Sequence, residues 1–333
     1  MWLDLFRPRR EFVWRELHWP AQLDPEAAVA LLRQIGTDHF VSVVAVEVEA
    51  TDETIAYRVG APTPAIARVE QLVAALISDA AVTPARERAQ LSNVWRVVLT
   101  SRHRPLQTAE PERVTRAVLA ALTTTRKGEH IVLQWLLGRN RAPRPVATST
   151  PASTVQPWWV SLFKGESDLD PERRRALEAK RSDHAFACIG RVAIQSGTPA
   201  RTRAIAVAVL AALRTAEAPG IGVRLVKEPA NKFNEVTPPW SWPYVLNVLE
   251  LVGPLAWPLG DKSLPGVPRD SSRWLRPDPR IRPSRRVLGV ATAPGETREL
   301  GLSIDDARHH LHLLGPTGVG KSTLLTSLAL ADI

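Results

Sequence analysis

An α+β fold is predicted by three features of this 333-residue sequence. A hexapeptide occurs twice in matching surroundings. A Gly-rich loop separates an apolar run from a helical run near the C-terminal end. A proline- and tryptophan-rich segment divides the two. Together they predict two ferredoxin-like α/β modules, a linker, a β-hairpin, and the first strand–loop–helix of an α/β nucleotide-binding domain.

Phe40–Ala50 (FVSVVAVEVEA) alternates towards its end in the period of two expected of a strand, and pairs with Thr54–Val59 as a hairpin through Asp52. Thr63–Ala80 follows as a helix, with Ile66, Val69, Val73 and Leu76/Ile77 on one stripe. The hexapeptide AVLAAL stands at Ala117–Leu122 and at Ala208–Leu213, each time in a helical run opened by a proline, Pro111 or Pro199. Proline suits the first helical turn, which has no internal amide bond to lose. A strand-like run precedes each copy, Val94–Thr100 and Phe186–Gln195, and another follows it, Ile131–Leu137 and Ile221–Val226. Strand–helix–strand units of this kind normally bring parallel strands into one sheet. Compositional likeness of Ala/Leu-rich helices is the competing account of the repeat; the matching flanks favour duplication. The expected division is an N-terminal segment (1–36), module 1 (37–137), a polar Pro/Ser/Thr linker (138–157) and module 2 (158–232). A Pro/Trp-rich basic linker (233–286) and the start of a nucleotide-binding domain (287–333) complete it.

Composition excludes other classes. Hydrophobic residues make up 44% and charged residues 23%, which suits a packed core and rules out collagen, coiled coil and wholesale disorder. One cysteine, Cys188, allows neither an internal disulfide nor a cysteine-based zinc site, and fits a reducing compartment. The N-terminus, MWLDLFRPRREFVW, carries charges where a signal peptide needs an apolar run. Val236–Gly260 is the most apolar stretch, yet its five prolines remove backbone donors that lipid cannot replace. It reads as a docking segment in a soluble, cytoplasmic chain.

The net charge is +9, and only seven of the 43 basic residues are lysines. Asp261–Arg286 contributes +5 of that total. Arg280, Arg282, Arg285 and Arg286 are candidate nucleic-acid contacts acting at phosphates. The rival reading is a solvated linker whose arginines pair with acidic neighbours.

One motif dominates. Gly315-Pro316-Thr317-Gly318-Val319-Gly320-Lys321-Ser322 matches G-x-x-x-x-G-K-[ST] at every defined position. The apolar run His310–Leu314 precedes it as an expected strand, and Ser322–Ala331 follows as an expected helix. Glycines let backbone amides converge on phosphates, the helix start adds partial positive charge, and lysine reaches the β- and γ-phosphates. Gly315–Thr323 is therefore the expected ATP site. Amides of Gly318–Ser322 wrap the β-phosphate, Lys321 bridges β and γ, Ser322 ligates Mg²⁺, and Thr323 reaches the α-phosphate.

Other clusters are weaker. His309, His310 and His312 lack the further ligands of a metal site. Asp168, Asp170 and Glu172 lack the glycine and terminal glutamate of a calcium loop, and read as caps of a helix from Pro171. Cys188 lies in an apolar strand and reads as inert core.

From Arg286, the string RVLGVATAPGETRELGLSIDDARHHLHLLGPTGVGKSTLL resembles the opening of the motor domain of conjugation and type IV secretion ATPases, within the HerA–FtsK superfamily. The hairpin, the acidic pair Asp305–Asp306, the histidine before the strand and the Walker A motif GPTGVGKST carry the likeness. The modules and the Trp/Pro segment resemble the N-terminal region of actinobacterial members. The resemblance implies a RecA-like P-loop motor, hexameric when full length, using ATP and Mg²⁺ at the cytoplasmic face of a membrane secretion machine, with DNA or protein as cargo. Ten residues follow Thr323, so the expectation is a chain truncated just after the Walker A motif, without the Walker B strand and arginine finger that turnover needs. Two alternatives stand: a chromosomal DNA translocase of FtsK or HerA type, and a non-catalytic, partner-binding adaptor with a vestigial loop.

Overall fold

A computed structural model describes residues 11–20, 23–52, 54–145, 171–260, 264–266, 277–291, 293–295, 298–309 and 311–331. The chain falls into two units, Met1–Asp270 and Ser271–Ile333.

The first unit is built on antiparallel strand pairing. Its first six elements are β1 (Phe12–His18), α1 (Pro25–Thr37), β2 (Val44–Thr51), β3 (Thr54–Pro62), α2 (Thr63–Leu76) and β4 (Ala81–Pro84). Their strands lie in the order β4-β1-β3-β2. Seven more follow: β5 (Asn93–Leu99), α3 (Pro111–Leu122), β6 (His130–Arg141), α4 (Pro171–Arg181), β7 (Ala185–Gln195), α5 (Pro199–Leu213) and β8 (Val223–Glu228). Their strands lie in the order β6-β7-β5-β8, and the pairing of β2 with β6 joins both sets into one sheet. The β2–β3 hairpin turns at Asp52, which adopts a positive φ of 47°.

The repeated hexapeptide is placed differently from expectation. The two copies do not belong to separate modules; they form α3 and α5, which pack on each other within one strand–helix–strand–strand–helix–strand set. β5 and β6 are antiparallel to the same strand, β7, and so run parallel to each other with β7 between them. A helix is about 10 Å across and strands are about 4.8 Å apart, so a crossover helix spans two strand intervals and leaves room for one inserted strand. The sheet also takes in β1, with α1 beside it, which the sequence reading left inside an unassigned segment 1–36.

Strand periodicity assigns the faces. Val44, Val46, Val48, Ile131, Leu133, Trp135, Val192 and Ile194 point into the main core, under the helices. The alternate residues form the other face, where Glu47, Gln134 and Arg191 stand opposite one another on β2, β6 and β7. They are buried and linked: Gln134 Nε2 donates to Glu47 Oε1 (2.7 Å), Arg191 Nη1 donates to Gln134 Oε1 (3.1 Å), and Arg191 Nε donates to Glu228 Oε2 (2.8 Å). Arg88 completes the network with two bonds to Glu47, 2.6 and 3.0 Å. Two carboxylates and two guanidiniums balance, which is the condition for burying such groups. A short helix, α6 (Ala230–Asn234), covers part of this face with the buried Phe233.

The proline- and tryptophan-rich segment is not a linker. It forms β9 (Tyr244–Asn247), paired with β7, and α7 (Val248–Val252). Asn247 and Glu250 make a reciprocal capping box. Leu246, Leu251, Val252, Leu255 and Trp257 are buried in the main core, and Pro254 accepts a hydrogen bond from Trp135 Nε1 at 3.0 Å. Apolar side chains spaced for burial outweigh the local reading of proline as a spacer. Among the described residues no helix is long and apolar enough to cross a membrane.

Cys188 lies on β7 with no exposed surface, and burial pushes its thiol up to about 12. A thiolate is the reactive form, so the folded protein is expected to give no reaction with an aromatic disulfide reagent at pH 8 and one equivalent after denaturation. Reaction of the native chain at the rate of a free thiol would contradict this placement.

The second unit contains a hairpin of β10 (Val287–Val290) and β11 (Glu299–Gly301), then α8 (Ile304–Ala307) and α9 (Lys321–Leu330). The hairpin and the final helix lie where the sequence predicts them. Residues 277–286 belong here too: Gly301 N donates to Arg282 O (3.1 Å) and Leu302 N to Arg286 O (2.9 Å). Of the strand expected over His310–Leu314, the described part, 311–314, is not a strand. His310 lies outside the described residues, and Leu311–Leu314 carry no ladder because no strand pairs with them among the described residues.

Candidate phosphate-binding loop

Two glycines shape the loop between Leu314 and α9. Gly318 and Gly320 have φ values of +89° and +88°, the left-handed region that side chains disfavour. Alternation of such residues with ordinary ones turns successive amides towards one side, as an anion-binding nest does. Gly320 is the residue before the helix and offers no side-chain cap. The first-turn amides of α9 therefore remain available to an external acceptor.

Lys321 is the first residue of α9, yet its side chain folds back over the loop. Its Nζ donates to Gly315 O (2.8 Å) and to Pro316 O (2.6 Å). The ammonium thus sits above the chain that the glycines curve. Ser322 and Thr323 follow on the first turn, their carbonyls accepting from the hydroxyls of Thr326 and Ser327, both at 3.0 Å. All nine positions singled out in the sequence, Gly315 to Thr323, therefore form one continuous loop and helix start. Such an arrangement offers backbone donors, a lysine cation and a serine hydroxyl, the groups that hold a phosphate chain and its magnesium ion.

The other candidates separate from this loop. Arg280 is exposed and bonded to its neighbour Asp278, Nη2 to Oδ2 at 2.7 Å, and the pairing holds the Asp278 carboxyl down at about 2. Arg280 therefore has an acidic partner two residues away in the chain. Arg286 also has a partner in the fold, while Arg282 and Arg285 are solvent-exposed. No group of metal-ligating side chains occurs among the described residues, and His310 is outside them. A helix begins at Pro171 as expected, with Asp168 and Asp170 outside the described residues.

Sequence reasoning missed the basic side chains of Arg139, Arg141 and Arg144, which it placed in a linker. Arg139 and Arg141 are on β6 itself, and their spacing of two along a strand was the available signal. No protein-family model matches this chain, and no curated protein matches it.

Proposed function

We propose that the chain binds Mg·ATP through Gly315–Thr323, as the N-terminal region of a DNA- or protein-translocating ATPase of the conjugation and type IV secretion kind. The observation that carries this reading is the return of Lys321 Nζ to the carbonyls of Gly315 and Pro316, with glycines of positive φ at 318 and 320. A lysine held there exchanges two neutral carbonyl partners for phosphate oxygens when a nucleotide enters. Backbone amides from Gly318 to Ser322 take the β-phosphate, and the Ser322 hydroxyl is the residue that holds the metal. When bound beside the Ser322 hydroxyl, magnesium would neutralise charge on the phosphate chain.

The strand orders β4-β1-β3-β2 and β8-β5-β7-β6 support reading the first unit as two ferredoxin-like modules side by side. In a hexamer at the inner face of a membrane machine, these modules would carry partner contacts, and the second unit the nucleotide.

Recognition through the phosphate chain has a simple signature. Calorimetric titration in magnesium buffer is expected to show that ATP and ADP bind, with AMP at least a hundredfold weaker, because AMP lacks the β-phosphate that the loop surrounds. Equal affinity for all three would contradict the reading.

A further inference from the structure

The first unit contains a concave site that the nucleotide loop does not explain. A cavity of about 610 Å³ opens between the end of β6, α4 and the start of β9. That volume is within the range of small-molecule sites, about 300–1,000 Å³. Arg102, Arg139, Arg141, Arg144 and Arg181 line it. Among the described residues none of these five guanidiniums has a hydrogen-bond or ion-pair partner.

The two remaining charged side chains of the wall are already neutralised. Lys180 Nζ is 2.7 Å from Glu250 Oε1, and Asp183 Oδ2 is 2.5 Å from Arg33 Nη2. The wall therefore carries five uncompensated positive charges around one concavity. Like charges so gathered repel, and an anion with several charges relieves that repulsion at each of them.

We infer that this cavity binds a small anion carrying two or more phosphates. Planar guanidiniums match phosphate oxygens with paired hydrogen bonds, which suits arginine rather than lysine on such a wall. The cavity, formed from four chain segments, favours a compact ligand over a continuous polymer.

The test uses the whole chain bearing Lys321→Ala, so that the nucleotide loop does not contribute and the outcome stands apart from the function proposed above. Inorganic tripolyphosphate is titrated by calorimetry at physiological ionic strength, then a nucleoside triphosphate. Binding of tripolyphosphate is expected, weakened at least tenfold by Arg139→Ala, Arg141→Ala and Arg144→Ala together. These side chains are exposed, so the fold should survive, and an unchanged far-ultraviolet spectrum verifies it. Arg144→Glu alone gives a second reading, with a loss at least as large as that of Arg144→Ala. The nucleoside triphosphate, which presents the same phosphates, is expected to bind through the same arginines. Absence of binding, or binding indifferent to the arginine changes, would overturn it. So would a single-stranded oligonucleotide held through the same arginines more tightly than tripolyphosphate.

Discussion

Replacing Lys321 with alanine is expected to weaken Mg·ATP binding about a hundredfold. Hydrogen bonds from a charged donor contribute about 1.5–3 kcal/mol each, and tenfold in affinity corresponds to about 1.4 kcal/mol. Loss of an ammonium that bridges two phosphates therefore removes at least two factors of ten. The fold of the second unit should not change, because Lys321 is only half-buried and no residue of α9 is buried. Lys321→Arg is expected to recover little, since a planar guanidinium does not place a compact point charge between two phosphates as an ammonium does. Affinity within threefold of the unaltered protein in Lys321→Ala would remove the loop from the account.

The largest effect on stability is expected at Glu250. This carboxylate has no exposed surface and accepts three hydrogen bonds: from Lys180 Nζ at 2.7 Å, Leu106 N at 2.8 Å and Asn247 N at 2.9 Å. Glu250→Ala leaves the buried Lys180 without a counter-charge and two backbone amides without acceptors. Breaking a buried ion pair from one side costs about 3–5 kcal/mol. A native domain has about 5–15 kcal/mol in total, so urea midpoints should fall steeply. Adding Lys180→Met to Glu250→Ala should restore part of the loss, since the uncompensated charge is then gone. It should not restore all, because the amides of Leu106 and Asn247 stay unpaired. A loss below about 1 kcal/mol in the single variant would show that water reaches the pair.

Local chemistry made much of this fold readable. The helices at Thr63, Pro111 and Pro199 follow from proline in the first turn and a regular apolar stripe. The β2–β3 hairpin follows from two strand runs meeting at Asp52, a residue that tolerates positive φ. Strand order was not readable in the same way. The pairing of β5 with β7, some hundred residues apart, depends on where each helix lies on the sheet rather than on any local pattern. The alternation of Val44–Thr51 marks a strand, but nothing in it announces that Glu47 is buried; that requires Gln134 and Arg88 from elsewhere in the chain. α1 was missed although its signals were present: Asp24 accepts from Glu26 N, Pro25 opens the helix, and Ala28, Leu31, Leu32 and Ile35 form its buried stripe.

The two sites differ for the same reason. Gly315–Thr323 is contiguous, so spacing alone assembles it, and the structure keeps those residues together. The arginine cavity draws on Arg102, Arg139 and Arg181, which only the pairing of β6 with β7 and the placement of α4 bring to one wall. No window of sequence contains it.

Hydrogen exchange of the whole chain, followed by mass spectrometry with and without Mg·ADP, tests the central claim most directly. A nucleotide seated in the loop takes up the amides of Gly318–Thr323 as donors, so exchange in the peptide covering them should slow markedly. The same peptide should be indifferent to Mg·ADP in Lys321→Ala. Slowed exchange confined to peptides of the first unit, with 318–323 unchanged while binding is saturated, would contradict the account.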